Sequence, residues 1–273
     1  MKNNLLAIAL IISFCSCKLP PHEQAPGNLE DMLNKGEWVD LTYAFSNETI
    51  YWPSVTNTFH LDTVFHGTTP GGFFYSAYAY SAPEHGGTHL DAPVHFAEGK
   101  WSADQIPLTS LTGNAVVIDV TAKALANRDY LVSVADVEAW EKENGQIPAG
   151  AIVLFKTGFG KYYPNAEKYL GTAEKGDSGI AKLHFPGIDP ALSEWLVKNR
   201  NIKAVGLDTA SVDFGQSKDF KTHQILYAAN IPGFENVANL DLLPTKGAYV
   251  MALPMKIKGG SGAPLRIIAW VKK

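Results

Sequence analysis

Short runs of apolar residues alternate along this chain with segments rich in glycine, proline and polar side chains. Several of the runs are almost continuously apolar, which is typical of strands that are buried on both faces of a sheet. The pattern predicts strands over Trp38–Tyr43, Phe59–Phe65, Phe73–Tyr80, Ala115–Val120, Ala151–Phe155, Ala204–Leu207, Ala248–Leu253 and Leu265–Val271.

Other segments have the signals of helices. Ser133–Asn144 begins at a serine that can cap the first turn, and it ends before Gly145. Asp189–Asn199 begins with a capping aspartate before a proline and has apolar residues at helical spacing. A short helix is also predicted over His223–Ala229. Because strands and helices are mixed throughout, we expect one α/β domain over residues 37–273, a mixed sheet with flanking helices.

Composition narrows the class of protein. The chain has 273 residues, of which 46% are hydrophobic and 18% charged, so it has the make-up of a globular protein with a substantial core. Its formal net charge is -4. With no basic excess to neutralise phosphates, nucleic acid is excluded as the main partner.

The first residues predict export. A positive charge precedes the apolar run Leu5–Ile12, which is too short to span a bilayer and has the length of a signal-peptide core. A serine directly before Cys17 resembles the end of a bacterial lipoprotein signal. We therefore expect a signal peptide over residues 1–17 and a lipid anchor at Cys17, which would place the protein in the cell envelope. A plain secretory signal is the alternative.

The two cysteines of the chain, Cys15 and Cys17, both lie in this leader. The rest of the chain therefore has no thiol for a disulfide, a nucleophile or a thiolate metal site. Residues 18–36 contain three prolines and few apolar side chains, and we expect them to form a tether outside the folded domain.

The segment HGGTHLDAPVHF, residues 85–96, holds three of the eight histidines together with an aspartate. Two glycines and a proline predict a tight loop here rather than a helix. Imidazole with carboxylate suits Zn²⁺ or Mn²⁺, and a catalytic metal needs three protein ligands and an open position. His85, His89 and Asp91 are therefore candidate ligands. His95 is the candidate general acid/base, because imidazole titrates close to neutral pH.

The motif HxxxHxDxxxH, which begins at His85, resembles the signature of the metal-dependent cyclase family, which includes bacterial kynurenine formamidases and isatin hydrolases. The segment VGLDTASVD at 205–213 is similar to a second family segment, and HFPG at 184–187 is similar to a third. The resemblance implies the swivelling β/β/α fold, hydrolase activity, and a homodimer or higher homo-oligomer.

The resemblance also implies roles for particular residues. Asp91 would bridge from the first metal to a second one, and His95 would be the general acid/base. Whether one or two Zn or Mn ions bind stays open, because family members differ. The implied ligands are His85, His89, Asp91, His223 and Glu235.

The expected reaction is hydrolysis of an amide or cyclic amide, such as an isatin-like lactam. The metal lowers the pKa of water, hydroxide attacks the carbonyl, and His95 moves the proton to the leaving nitrogen. YWPS at 51–54 stands where formamidases often have Pro-Gly-Asp. Kynurenine formamidase activity is therefore the alternative substrate reading. A metal-holding surface lipoprotein that binds a small ligand without catalysis is the alternative of a different class.

Four aromatic residues are candidates for a flat apolar pocket around a substrate ring: Trp52, Phe73, Phe74 and Trp101. For each of them, packing in the core is the alternative. The segment GGSG at 259–262 is either a mobile loop near the site or a plain connection between two strands.

Overall fold

A computed structural model describes residues 28–273. The strands are β1 (Gly36–Asp40), β2 (His60–Thr68), β3 (Phe74–Ser81), β4 (His89–Asp91), β5 (Thr112–Asp119), β6 (Leu131–Val132), β7 (Ala151–Lys156), β8 (Gly187–Ile188), β9 (Ile202–Leu207), β10 (Gly233–Glu235), β11 (Lys246–Pro254) and β12 (Gly262–Lys272). The α-helices are α1 (Leu29–Leu33), α2 (Leu108–Leu111), α3 (Thr121–Ala126), α4 (Val134–Asn144), α5 (Ala166–Leu170), α6 (Gly176–Ile180), α7 (Pro190–Asn199) and α8 (Lys221–Ala228). Within the described residues, no helix combines the length and apolar character needed to cross a membrane.

Eight strands form one mixed sheet in the order β1-β12-β11-β5-β7-β9-β10-β4. The central strands β5, β7, β9 and β10 are parallel, and the remaining pairs are antiparallel. β4 pairs with the start of β12 as well as with β10. The sheet therefore closes on itself as a barrel, and this closure brings the segment before β12 beside β4.

Alternation along the central strands divides the core into two layers. Ala115 and Val117 of β5 face the inside of the barrel, whereas Val116 and Ile118 face the helices. The same alternation runs through β7 and β9. The outer layer contains side chains of α4, α7 and α8, so these helices cover one face of the sheet. Strands buried on both faces explain the continuous apolar runs of the sequence.

The predicted α/β class, with a mixed sheet and flanking helices in one domain, is confirmed. Every predicted strand is present, with ends shifted by a few residues. The helix α4 begins after Ser133, which forms a capping box with Asp136, and α7 begins after Asp189, whose side chain accepts a hydrogen bond from Ala191 N. The predicted loop at 85–96 is partly wrong, since it contains β4 and a 3₁₀ helix. Both partners of β4 are distant in sequence, so no local pattern signals it.

The folded part of the chain begins earlier than the predicted tether allows. α1 is followed directly by β1, so residues 28–36 belong to the fold. The carbonyl of Leu33 accepts a hydrogen bond from Trp270 Nε1 at 3.1 Å, and β1 pairs with β12. These attachments are largely backbone hydrogen bonds, which a count of apolar side chains does not detect. The predicted signal peptide, Cys17 and residues 18–27 of the tether lie outside the described residues.

The side chain of Asp136 stabilises the start of α4. Its carboxylate accepts hydrogen bonds from Ser133 N at 2.7 Å and Tyr130 Oη at 2.8 Å, and it lies 2.5 Å from Lys123 Nζ. Burial opposes ionisation of this carboxyl, but the ion pair and hydrogen bonds outweigh it and hold the pKa of Asp136 below its ordinary value.

We expect Asp136→Asn to lower the free energy of unfolding at neutral pH by about 1–3 kcal/mol, because buried donors lose their charged acceptor. Because the pKa of Asp136 is lowered by folding, its ionised carboxylate stabilises the fold at pH values above the unfolded-state pKa of about 4. This stabilisation is lost as the pH falls through the folded-state pKa. Urea titrations should therefore separate the variant from the wild type at neutral pH and bring them together in acid. Glu138→Gln, an exposed site on the same helix, is the control and should change stability by less than about 0.5 kcal/mol.

Candidate active site

The candidate metal centre lies where β4, β10 and α8 meet. His89 and Asp91 are two residues apart on β4 and so point to the same face. The antiparallel register of β4 and β10 places Glu235 directly opposite His89. α8 contributes His223, and the turn before β4 contributes His85. The structure thus brings together all five residues that the sequence named as ligands.

The carboxylate of Asp91 lies at the middle of this cluster. Its Oδ1 is 2.7 Å from His85 Nδ1 and 3.1 Å from His89 Nε2, and its Oδ2 is 3.3 Å from His223 Nε2. Glu235 lies across from it, 3.4 Å from both His89 Nε2 and His223 Nε2. The donors form two triads that share Asp91, and within each triad the ligand atoms lie within 4.8 Å of one another.

Two of the imidazoles are oriented by partners on their far side. His89 Nδ1 donates to the carbonyl oxygen of Gly87 at 3.0 Å, and His223 Nδ1 donates to Asp213 Oδ2 at 2.5 Å. A proton at Nδ1 leaves the lone pair of Nε2 directed at the centre, as a metal ligand requires.

His85 is held by a different arrangement. Its Nε2 lies 2.9 Å from Ser261 Oγ, and the Ser261 hydroxyl donates to Glu84 Oε2 at 2.7 Å. Because Ser261 gives its proton to Glu84, its oxygen is left to accept one from His85 Nε2. This places the lone pair of His85 Nδ1 on the side of Asp91.

The donor set fits a divalent cation. His89 Nε2 is buried and has no hydrogen-bond partner within residues 28–273, although Asp91 Oδ1 lies 3.1 Å away. A buried polar atom without a partner is costly, and so are two buried carboxylates at one centre. A cation between the triads would satisfy both. Imidazole nitrogens with carboxylate oxygens suit Zn²⁺ or Mn²⁺.

The charges of the cluster are strongly coupled. Burial alone would raise the pKa of Asp91, but His85, His223 and His89 hold it well below its ordinary range. Burial and the charge of Asp91 raise the pKa of Glu235. Burial opposes protonation of His89, yet the two carboxylates outweigh it and raise the pKa to about 9. A metal must therefore displace protons from these rings.

Asp213 belongs to the VGLDTASVD segment and supports His223 from behind. Besides its bond to the ring, its carboxylate accepts hydrogen bonds from His223 N at 3.1 Å and Thr222 N at 3.2 Å. We expect Asp213→Asn to weaken metal binding by roughly 10- to 100-fold, because the amide cannot hold the ring and its proton as the carboxylate does.

Competition for the metal against a chromophoric chelator measures this effect. Asp219→Asn is the matched control, since Asp219 is exposed in the same loop. Equal affinity in the Asp213 and Asp219 variants would show that the carboxylate of Asp213 has no part in holding the metal.

His95 lies at the end of the 3₁₀ helix Pro93–His95, between the cluster and the cavity beside it. Its ring stacks on that of His85, with centroids 3.9 Å apart and an interplanar angle of 18°. Burial, with the nearby imidazoles acting in the same direction, lowers the pKa of His95 to about 4. The ring is therefore neutral at neutral pH and can accept a proton.

A cavity of about 250 Å³ opens onto the cluster and onto His95. Its apolar wall includes Trp52, Phe96 and Phe220. The ring of Phe220 lies between the other two, with centroid distances of 6.2 Å to Trp52 and 5.5 Å to Phe96. No lysine or arginine of the described residues lines it. The cavity therefore suits a flat, uncharged ring.

Of the four aromatic residues proposed for this pocket, the structure places Trp52 there and the other three elsewhere. Phe73 and Phe74 are exposed at the β2–β3 hairpin, and Trp101 packs against the core of the barrel. Sequence order does not show that residues 60–81 leave the body of the domain as a separate hairpin. Phe96 and Phe220 were missed, although each lies within three residues of a candidate site histidine.

Two further contacts to the cluster were also missed. Tyr227 Oη donates to Asp91 Oδ2 at 2.8 Å, and burial together with Asp91 keeps the pKa of this phenol well above its ordinary value. Its position one helical turn after His223 could have signalled it. The GGSG segment connects β11 to β12, as one of its two readings predicted, and Ser261 within it contacts His85.

The closed mixed sheet and the buried cluster of histidines and carboxylates define the class of this protein as a metal-dependent hydrolase. Residues 39–214 match the sequence profile of a family described as "Putative cyclase". The chain therefore belongs to the cyclase family, as its motif predicted.

Individual relatives agree with this assignment. An isatin hydrolase of Roseibium aggregatum is 34% identical over 198 residues, which are 70% of this chain and 73% of that protein. A kynurenine formamidase of Salinibacter ruber is 30% identical over 185 residues, 67% of this chain and 74% of that protein. The solved structure of isatin hydrolase A from Ralstonia solanacearum superposes with a TM-score of 0.78 at 33% identity, covering 91% of this chain and 98% of that one.

Proposed function

We propose that this enzyme hydrolyses the amide bond of an aromatic cyclic amide of the isatin type. The observation that carries this proposal is the position of the two triads, which face a cavity with an aromatic wall together with His95. The similarity to isatin hydrolases over most of the chain supports the same substrate class.

Different residues of the chain would have different roles in such a reaction. A bound divalent metal supplies an activated water and polarises the substrate carbonyl. Trp52, Phe96 and Phe220 hold the ring of the substrate and exclude bulk water from the reacting bond. His95, neutral at working pH, accepts a proton from the attacking water and returns it to the leaving nitrogen, a contribution of roughly 10²–10⁴ in rate.

We further propose that two metal ions bind, either Zn²⁺ or Mn²⁺. The two carboxylate oxygens of Asp91 face different histidines, Oδ1 towards His85 and His89 and Oδ2 towards His223. Each oxygen of Asp91 would thus be available to a separate ion, and Glu235 would supply a further donor in the second triad.

Hydrolysis of N-formylkynurenine is the second candidate, supported by the similarity to the kynurenine formamidase of Salinibacter ruber. That substrate has an aromatic ring that would fit the cavity, but it also has an amino-acid group. No lysine or arginine among the described lining residues can pair with its carboxylate. The lining therefore favours a neutral lactam.

Metal analysis together with a substrate panel tests these proposals. The chain from Lys18 onward retains every described element of the fold. We expect two Zn or Mn ions per chain, and faster hydrolysis of isatin than of N-formylkynurenine or simple cyclic imides. Preference for N-formylkynurenine would overturn the lactam assignment. Metal without any turnover would support the non-catalytic ligand-binding alternative, and absence of metal after supplementation would overturn the metal centre.

We also propose that the protein is exported and anchored in the cell envelope through a lipid on Cys17, and that it acts as a homodimer. The support for the anchor is the leader sequence, with its apolar core and its serine-cysteine end. Labelling of cells with a fatty-acid analogue tests it: the wild type should be labelled and membrane-bound, and Cys17→Ser should be neither. An unlabelled wild type would contradict lipidation.

A further inference from the structure

Glu84, the residue before His85, has a carboxylate that the proposed reaction does not use. Within residues 28–273, both hydrogen bonds to this carboxylate come from Ser261. The hydroxyl donates at 2.7 Å and the backbone N–H at 3.0 Å, both to Oε2. The lysines and arginines that form ion pairs in this part of the chain do so with other carboxylates. The contacts of Glu84 are therefore with the loop beside the metal centre and not with a basic side chain.

The loop before β12 packs closely against Glu84 and His85. A Cβ atom at Gly260 would lie 2.7 Å from Glu84 Oε1, and one at Gly262 would lie 2.5 Å from His85 Cε1. Larger residues at these two positions would push the loop away from the two side chains. Ser261 lies between the glycines, and Glu84 also holds its backbone N–H. The main freedom left to its hydroxyl is therefore the direction of its proton.

The direction of that proton decides which nitrogen of His85 can bind a metal. Ser261 Oγ lies 2.9 Å from His85 Nε2, and a hydroxyl can either donate to this nitrogen or accept from it. While the hydroxyl donates to Glu84, Nε2 carries the ring proton and the lone pair is on Nδ1, which lies 2.7 Å from Asp91 Oδ1. Without an acceptor at Glu84, the hydroxyl can donate to Nε2. The ring proton then moves to Nδ1, where it blocks the metal.

The other two imidazole ligands do not depend on such an arrangement. His89 Nδ1 donates to the carbonyl oxygen of Gly87, and His223 Nδ1 donates to the carboxylate of Asp213. A carbonyl or a carboxylate accepts hydrogen bonds and cannot donate them, so each fixes the ring proton by itself. The serine hydroxyl beside the third imidazole can do either. A second group behind the serine is therefore needed to fix the proton.

We propose that Glu84 is a positioning residue of the metal centre. Through the hydroxyl of Ser261, it keeps the ring proton of His85 on Nε2 and so leaves Nδ1 free to bind the metal. This inference rests on the metal centre of the proposed function and not on its substrate. Its test therefore measures metal binding alone.

Competition for Zn²⁺ against a chromophoric chelator tests the proposal, with the chain from Lys18 onward. We expect Glu84→Ala to bind Zn²⁺ roughly 10- to 100-fold more weakly than the wild type, as is typical when a residue that orients a ligand is lost. Glu84→Gln keeps an oxygen acceptor and should recover most of this affinity. Asp104→Ala is the matched control, because Asp104 holds the same loop at Gly259 N, 2.9 Å away, and not at the serine. Its affinity should stay within about twofold of the wild type.

A double variant separates this role from a general effect on the loop. Ser261→Ala removes the group through which Glu84 acts, so it should also weaken Zn²⁺ binding. Adding Glu84→Ala to Ser261→Ala should weaken binding no further, whereas the effects of independent residues multiply. Circular dichroism checks that every variant is folded.

Several results would overturn the proposal. Unchanged affinity in Glu84→Ala would exclude the role, and losses that multiply in the double variant would show that Glu84 does not act through Ser261. Equal loss in Glu84→Gln or in Asp104→Ala would also contradict it, since the first keeps the acceptor and the second leaves it untouched. A wild type that binds no Zn²⁺ would overturn the metal centre itself, and this inference with it.

Discussion

Asp91→Asn is expected to leave the protein without its metal. Both triads share this carboxylate, so a single substitution removes a charged donor from each. Loss of a ligand should exceed the roughly 10- to 100-fold loss of affinity that follows removal of a neighbour of a ligand. Inductively coupled plasma mass spectrometry of the purified variant should therefore find little bound metal, and hydrolysis should fall with it.

Asp208→Asn is the matched control for this experiment. Asp208 is also a buried aspartate, but its carboxylate accepts hydrogen bonds from Thr157 N at 2.8 Å and Gly158 N at 2.9 Å rather than facing the cluster. Its replacement should reduce stability while the metal is retained. A variant at Asp91 that keeps its full metal content would show that this carboxylate does not hold the metal.

The second large effect is expected at His95. Glutamine keeps the approximate size and polarity of the side chain but cannot take up a proton. We therefore expect His95→Gln to retain its metal and to lose roughly 10²–10⁴ in kcat, measured with the amide substrate that the wild type hydrolyses fastest.

His184→Gln provides the comparison, because the ring of His184 is half-exposed and pairs with Asp129, outside the cavity. It should keep both metal and activity. Full activity in the His95 variant would contradict its role as acid/base, and loss of metal would make it a ligand instead.

Several features of the fold and site could be predicted because their signals are local. The capping serine predicted the start of α4, the capping aspartate predicted the start of α7, and the apolar runs predicted the central strands. Caps and apolar runs alike consist of residues that are neighbours in sequence. His85, His89 and Asp91 could be named from their spacing with glycines between them. His223 and Glu235 were reached only through the resemblance to a family, because nothing near them in the sequence marks a metal centre.

The residues that line the cavity could not all be predicted from the sequence. Trp52 and Phe73 are both aromatic residues before the histidine motif, yet Trp52 lines the cavity and Phe73 lies on an exposed hairpin. The sequence offers the same evidence for both residues as pocket residues. Only the path of the folded chain shows that one lines the cavity and the other does not. Tyr227 contacts Asp91, and Ser261 contacts His85. Both contacts join segments that are far apart in sequence, so they too depend on the path of the chain.

The sequence by itself determined the class of fold, the positions of most strands and helices, and the chemistry of the donors, because periodicity, caps and side-chain type are properties of short segments. The tertiary structure decided how those donors meet. Pairing of β4 with β10 sets Glu235 opposite His89, and pairing of β4 with β12 brings Ser261 to His85. These contacts depend on strand register between distant parts of the chain, and register results from closing the whole sheet around its core.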